Sequence, residues 1–265
     1  MPALHGAWNF RDVADATGVR PGRFFRSSEL SRLEDDGRAE LRRLGIADVA
    51  DLRSPREVQR RGPGRVPNGV AVHLLPFPDL AAGTDGESPH EHAFTRMMTE
   101  RPGDESVGDE AAQYMTEEYQ RFPSLAGAQR AVRQVVSLLA GGRPVITHCF
   151  AGKDRTGFTV AVVLESLGVD RDAILADYLR SNEAVPELRS RIVDMMGQRA
   201  GSTLAPEAVT FAEARLSDDV LGVRGEYLSA ARQAIDDNYG SLEGYLRAAD
   251  VSGEDIDALR SALLT

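Results

Sequence analysis

Cysteine occurs once in the sequence, at Cys149, and an arginine follows at Arg155 after five intervening residues. Those five are Phe150, Ala151, Gly152, Lys153 and Asp154, with His148 before the cysteine and Thr156 after the arginine. The apolar run PVITHC ahead of them reads as a strand, and TGFTVAVVL beyond them reads as a helix. A loop of this length at a helix start can turn successive backbone N–H groups toward one point. The helix N-terminus adds partial positive charge, and together they make a cradle for an anion. The Arg155 guanidinium can close the cradle on two phosphate oxygens at once, and Gly152 suits a turn that needs unusual dihedrals. Such a field favours a thiolate over a thiol, so a cysteine in this position is a candidate nucleophile at neutral pH.

A thiolate facing a bound phosphoryl group implies a phosphocysteine intermediate that water then hydrolyses. The first step needs an acid to protonate the leaving oxygen. Asp154 is favoured for that role because the chain itself ties it to the loop. Asp79, at the end of LLPFPD, is the other candidate, and its place depends on how two strands are ordered. Each has a plainer reading, Asp154 as a helix cap and Asp79 as a turn residue. Thr156 can offer its hydroxyl to the sulfur. His148 is expected to order the loop, since a thiolate needs no base.

Competing chemistries fit less well. A nucleotide-binding loop needs G-x-x-x-x-G-K-[ST], but Asp154 follows Lys153 and Thr147 stands where the earlier glycine belongs. Sulfur transfer through a persulfide needs neither Arg155 nor a leaving-group acid. A phosphate-dependent binding module, an inactive relative of a phosphatase, would typically lack the nucleophile or the acid, and both are present. His90 and His92 in PHEH have no partners at ligand spacing, so no metal site is expected.

The elements that position the loop are legible upstream. RFFRSSEL reads as a short strand or turn, SRLEDDGRAELRRLG as a helix, and IADVADL and VAVHLLPF as strands. Residues 81–109 are rich in Gly, Asp, Glu and Ser and read as an exposed, flexible insertion. Helical patterns are expected over 110–122, 125–140, 158–167, 171–180, 183–198, 206–215 and 224–238, followed by a short C-terminal pair. The fold class this implies is α/β, a mainly parallel central sheet flanked by helices with a helical C-terminal addition, in a single domain over 1–265. NFRD at 9–12 is expected to pack beneath the loop, with Arg11 and Asp12 pairing locally and no part in the chemistry. The net charge of −10 argues against nucleic acid as a partner. A single cysteine forms no internal disulfide, and no apolar segment is long enough for a membrane span or a cleaved signal, so the chain is expected to be soluble.

HCFAGKDRTG carries the signature of the cysteine-dependent protein tyrosine phosphatase superfamily. With GAWNFRDVAD, RPGRFFRSSELSRL, DLRSPREVQRRGPGRVP, HLLPFPDL and LSDDVLGVRGEYL, the chain resembles members of that superfamily over nearly its whole length, apart from 81–109. The resemblance implies a phosphatase fold without metal or cofactor. Its implied substrates are proteins phosphorylated on tyrosine, serine or threonine, and phosphoinositides, the last with transient membrane-surface contact. It also implies a cytoplasmic location or secretion without a cleaved signal, and a helical lid drawn from roughly 181–240. Carried over by matching motif, Cys149 is the nucleophile, Arg155 the phosphate clamp, Asp154 the general acid, and Asp79 a pocket aspartate acting as acid or organiser. Ala151, Gly152 and Thr156 complete the phosphate loop, and Phe150, Phe77 and Arg56 line the pocket. Lys153 matches a cation common in lipid phosphatases, which suggests an extra charge at the rim for a headgroup with several phosphates.

Overall fold

In the computed structural model, residues 4–77, 106–199, 216 and 218–264 are described. Among the described residues, five short strands form one sheet in the order β1-β2-β5-β3-β4. They are β1 (Arg11–Asp12), β2 (Phe24–Ser27), β3 (Asp48–Asp51), β4 (Ala71–Leu74) and β5 (Val145–His148). Only the β1–β2 pair is antiparallel; β2, β5, β3 and β4 run parallel. The four runs read as strands from sequence all form strands. β1 escaped notice because two residues carry no period.

Alternation along the strands sends neighbouring residues to opposite faces. Phe24, Ala50 and Val145 enter the larger core with the C-terminal helices, while Phe25, Val49 and Ile146 join Leu30, Leu33 and Leu41 on the other face. Strands β2, β3 and β5 are buried throughout, as expected of a parallel sheet covered on both sides.

The helices are α1 (Ala14–Thr17), α2 (Asp35–Arg43), α3 (Pro55–Arg61), α4 (Ser106–Arg121), α5 (Ala126–Ala140), α6 (Asp154–Ser166), α7 (Arg171–Leu179), α8 (Val185–Arg199), α9 (Asp218–Leu221), α10 (Gly225–Tyr239), α11 (Leu242–Ala248) and α12 (Gly253–Leu263). Helix α6 is apolar nearly all round and is buried along almost its whole length. It leaves the loop after β5 and runs through the middle of the molecule. Helix α5 packs so closely on the end of β4 that a Cβ on Gly127 would lie 2.2 Å from the Phe77 carbonyl oxygen. That contact holds Phe77 in the core, edge-on to Phe122 and Phe158.

Three helices go beyond the sequence reading, of which α1 spans only Ala14–Thr17. Helix α3 is short and heavily charged, so it shows no apolar stripe, yet its Ser54-Pro55-Arg56-Glu57 start is a capping-box signature that could have revealed it. Helix α9 has only four residues. Helix α4 begins at Ser106, so the insertion expected over 81–109 gives way to helix before its end; residues 81–105 lie outside the described residues, as does the helix expected over 206–215. No helix among the described residues is long and apolar enough to cross a membrane.

Candidate active site

Strand β5 lies between β2 and β3, with both neighbours parallel to it. The loop after His148 therefore emerges at the carboxyl end of the sheet in mid-molecule, where parallel sheets hold their ligands. Cys149, Phe150, Ala151, Lys153, Asp154, Arg155 and Thr156 are all buried there. Gly152 adopts φ +68°, and a Cβ on it would lie 2.1 Å from the Ser27 carbonyl oxygen, so both dihedral and space require glycine. The buried His148 ring donates from Nδ1 to the Cys149 carbonyl at 3.2 Å. Burial, only partly opposed by Asp51, lowers its pKa below 6.5. A neutral ring fixed in this way orders the loop, as expected from the sequence.

The loop arginine has a partner that the sequence reading missed. Arg155 donates from Nη1 to Glu57 Oε2 at 2.7 Å and from Nη2 to Glu57 Oε1 at 2.8 Å. Nη1 also donates to the Leu52 carbonyl at 3.2 Å. A guanidinium has five N–H groups, and partners among the described residues occupy the end-on pair and the outer Nη1 hydrogen. The side-on edge, Nε–H with the second Nη2–H, is left for an anion, and it has the bidentate spacing that suits two phosphate oxygens. Glu57 is fixed from its own helix. Its carboxylate accepts the Ser54 N–H at 2.8 Å while the Ser54 hydroxyl accepts the Glu57 N–H at 3.2 Å, and Pro55 opens the helix. Burial alone would raise the Glu57 pKa; Arg155 outweighs it and holds the value at about 2.

Asp154 is not the helix cap. Lys153 occupies that position and no side chain caps the helix. The Asp154 carboxylate instead accepts the Tyr119 hydroxyl at 3.2 Å, and Tyr119 in turn accepts from the Tyr178 hydroxyl at 2.6 Å. Burial first, and then the Asp154 charge, push both tyrosine pKa values well above 10, so both remain donors. Lys153 is not at a rim. It is 1% exposed, donates from Nζ to the Gly222 carbonyl at 3.1 Å, and lies 3.5 Å from Asp154 Oδ1. Its amine turns inward because the Asp154 carboxylate and the Gly222 carbonyl just past α9 both lie within reach of its stem.

Phe150 meets Trp8 edge-on at 6.0 Å, and the Arg61 guanidinium covers its ring at 3.8 Å. With Ala151 it belongs to a second apolar cluster formed with Val185, Leu188, Ile192, Leu216, Val220 and Leu221. Phe77 shares the main core cluster with Cys149. The Thr156 hydroxyl is buried with no hydrogen-bond partner among the described residues. Arg56 is exposed on the first turn of α3, next to Glu57. Asp79, His90 and His92 lie outside the described residues. The local pairing expected of NFRD is corrected: Arg11 donates from Nε to Asp177 at 2.7 Å, and Asp12 accepts the Ala14 and Gly22 N–H groups. A buried carboxylate on α7 outcompetes a sequence neighbour that the strand directs elsewhere. Among the described residues no cluster of His, Cys, Asp or Glu could hold a metal ion.

The family model described as "Tyrosine phosphatase family" matches residues 2–265. The chain belongs to the tyrosine phosphatase family. It is 64% identical over 270 residues to the triple specificity protein phosphatase PtpB of Mycobacterium tuberculosis, covering 98% of both chains. It is also 32% identical over 251 residues to a putative tyrosine-protein phosphatase of Cupriavidus necator, covering 91% of this chain and 81% of the relative. A tyrosine-protein phosphatase of Nostoc commune is 27% identical over 265 residues, with 94% and 76% covered.

The Glu57–Arg155 pair makes a testable contribution to stability. A carboxylate whose folded pKa lies near 2, against an ordinary 4.5, stabilises the fold fully above about pH 4.5 and loses that contribution as pH falls toward 2. The shift corresponds to about 3 kcal/mol. Urea midpoints measured from pH 6 to pH 2.5 should fall more steeply for the wild type than for Glu57→Gln, whose side chain does not titrate.

Proposed function

We propose that the chain hydrolyses phosphoric monoesters on proteins, at phosphotyrosine and also at phosphoserine and phosphothreonine, through a phosphocysteine intermediate. One observation carries the reading: Glu57 holds Arg155 by its end-on edge and leaves the side-on edge for an anion in a loop that also holds Cys149. In the first step the Cys149 sulfur attacks phosphorus, the S–P bond forms as the P–O bond breaks, and the leaving oxygen takes a proton from Asp154. In the second, Asp154 accepts a proton from the attacking water, inorganic phosphate leaves, and the thiolate returns. The triple specificity named for the M. tuberculosis relative supports the breadth of substrates. The matching family and the 64% identity weigh against a binding module or a sulfur-transfer enzyme.

Turnover of 4-nitrophenyl phosphate without added metal should vanish in Cys149→Ser. Asp154→Asn should lose about 10²- to 10⁴-fold on phosphotyrosine peptides and much less on 4-nitrophenyl phosphate, whose leaving group needs little protonation. Activity surviving in Cys149→Ser would end the proposal.

The reading extends to phosphoinositides, motivated by a lysine within the phosphate loop. Displacement of the Gly222 carbonyl would free the Lys153 amine for a second phosphate. Lys153→Ala should then slow phosphoinositide hydrolysis more than phosphotyrosine peptide hydrolysis; equal losses would argue against it.

Helices α8 and α9 are proposed as part of a lid, because their apolar residues cover Phe150 and Ala151 while Cys149 is only 2% exposed. Amide exchange in α8 and α9 should be faster than in β2 and β5 and should slow when vanadate is added. Protection equal to the sheet in both states would rule the lid out.

A further inference from the structure

An anion cradle of backbone N–H groups requires that the carbonyls of the same peptides point away, because C=O and N–H are antiparallel in a trans peptide. Each outward carbonyl then needs its own donor. In this loop every one has it. The Cys149 carbonyl accepts from the His148 ring at 3.2 Å, that of Phe150 from the Glu29 N–H at 2.9 Å, and that of Lys153 from the Gly157 N–H at 2.9 Å. The two central carbonyls share one side chain: Asn9 Nδ2 donates to Ala151 O and Gly152 O, both at 3.0 Å. Gly152 O also accepts from Arg26 Nη2 at 2.8 Å.

We propose that Asn9 is a positioning residue for phosphoryl transfer, turning the 151–152 and 152–153 peptides so that the Gly152 and Lys153 N–H groups face the bound oxyanion. Three features mark the side chain as built for this. Its backbone is left-handed, φ +53°, a conformation that asparagine tolerates better than most residues. Its amide orientation is unambiguous: Oδ1 accepts from Arg11 Nη1 at 2.5 Å, and since a guanidinium only donates and a carbonyl only accepts, Nδ2 must face the loop. Arg11 is in turn clamped by Asp177 at 2.7 Å, and Asp177 also receives Arg26 Nη1 at 2.6 Å. One buried carboxylate therefore sets both groups that hold the Gly152 carbonyl. Asn9 touches neither sulfur nor substrate and acts through the two peptides.

This inference rests on the proposed phosphatase activity, and its test separates the two. Asn9→Gly keeps a left-handed backbone without strain and removes the amide, while Asn9→Asp keeps the shape and the Arg11 partner but has no N–H to donate. Both should lower kcat for 4-nitrophenyl phosphate about 10- to 100-fold with a smaller change in KM, and both should raise the vanadate inhibition constant by a similar factor. Vanadate binding can be followed without turnover through the fluorescence of Trp8, the only tryptophan and a neighbour of Phe150. Wild-type kcat and vanadate affinity in both variants would overturn the role. Losses that disappear when folded variant is assayed well below its melting temperature would also overturn it, since they would reflect stability alone. A wild type that binds vanadate but fails to hydrolyse would instead count against the phosphatase activity, while weaker vanadate binding in the variants would still support the role of Asn9.

Discussion

The ion pair between Arg155 and Glu57 is the constraint on which the site depends. Both groups are buried, and a buried charge is tolerated only when paired and hydrogen-bonded. The pairing is bidentate and end-on, so it fixes the plane of the guanidinium as well as its position. Glu57 can do this because it is the third residue of a capped helix, held by Ser54 before it meets Arg155. A helix of seven residues that contributes little to the core thus decides which edge of the arginine faces the Cys149 loop.

The same device recurs around the loop. Asp177 joins Arg11 and Arg26, and Arg53 joins Asp51 and Glu29, all buried. A chain with net charge −10 thereby gathers arginines around the Cys149 loop, each ion-paired with a buried carboxylate, Asp177 serving two of them. Apolar contacts would fill the same space without fixing direction. Hydrogen-bonded charges fix direction, and an oxyanion site built from peptide dipoles needs direction most. Burial also keeps Tyr119 and Tyr178 protonated, so the chain of hydroxyls leading to Asp154 remains donating across the neutral range.

Much of this was legible in the chain. The loop reveals itself because its chemistry is local: Cys149, Gly152 and Arg155 sit within seven residues, and a strand and a helix must flank them to aim the amides. The parallel sheet follows from apolar runs alternating with amphipathic helices. The partners of Glu57, Asn9, Asp177 and Tyr119 were not read, although NFRD was expected beneath the loop, since those partners lie 98, 142, 166 and 35 residues away in the chain. The Ser54 capping box was the one local signal that pointed to Glu57, and it announced a helix start rather than a partner for an arginine.

The sequence alone therefore determined which groups the loop brings together, their order along it and the fold class, because spacing and periodicity are properties of neighbouring residues. Tertiary structure decided the rest: which edge of Arg155 is open, which donors turn the loop carbonyls outward, and that Lys153 points inward to Gly222. Those outcomes follow from competition among groups distant in the chain for a few buried donors and acceptors, and only the folded packing decides which pairs meet.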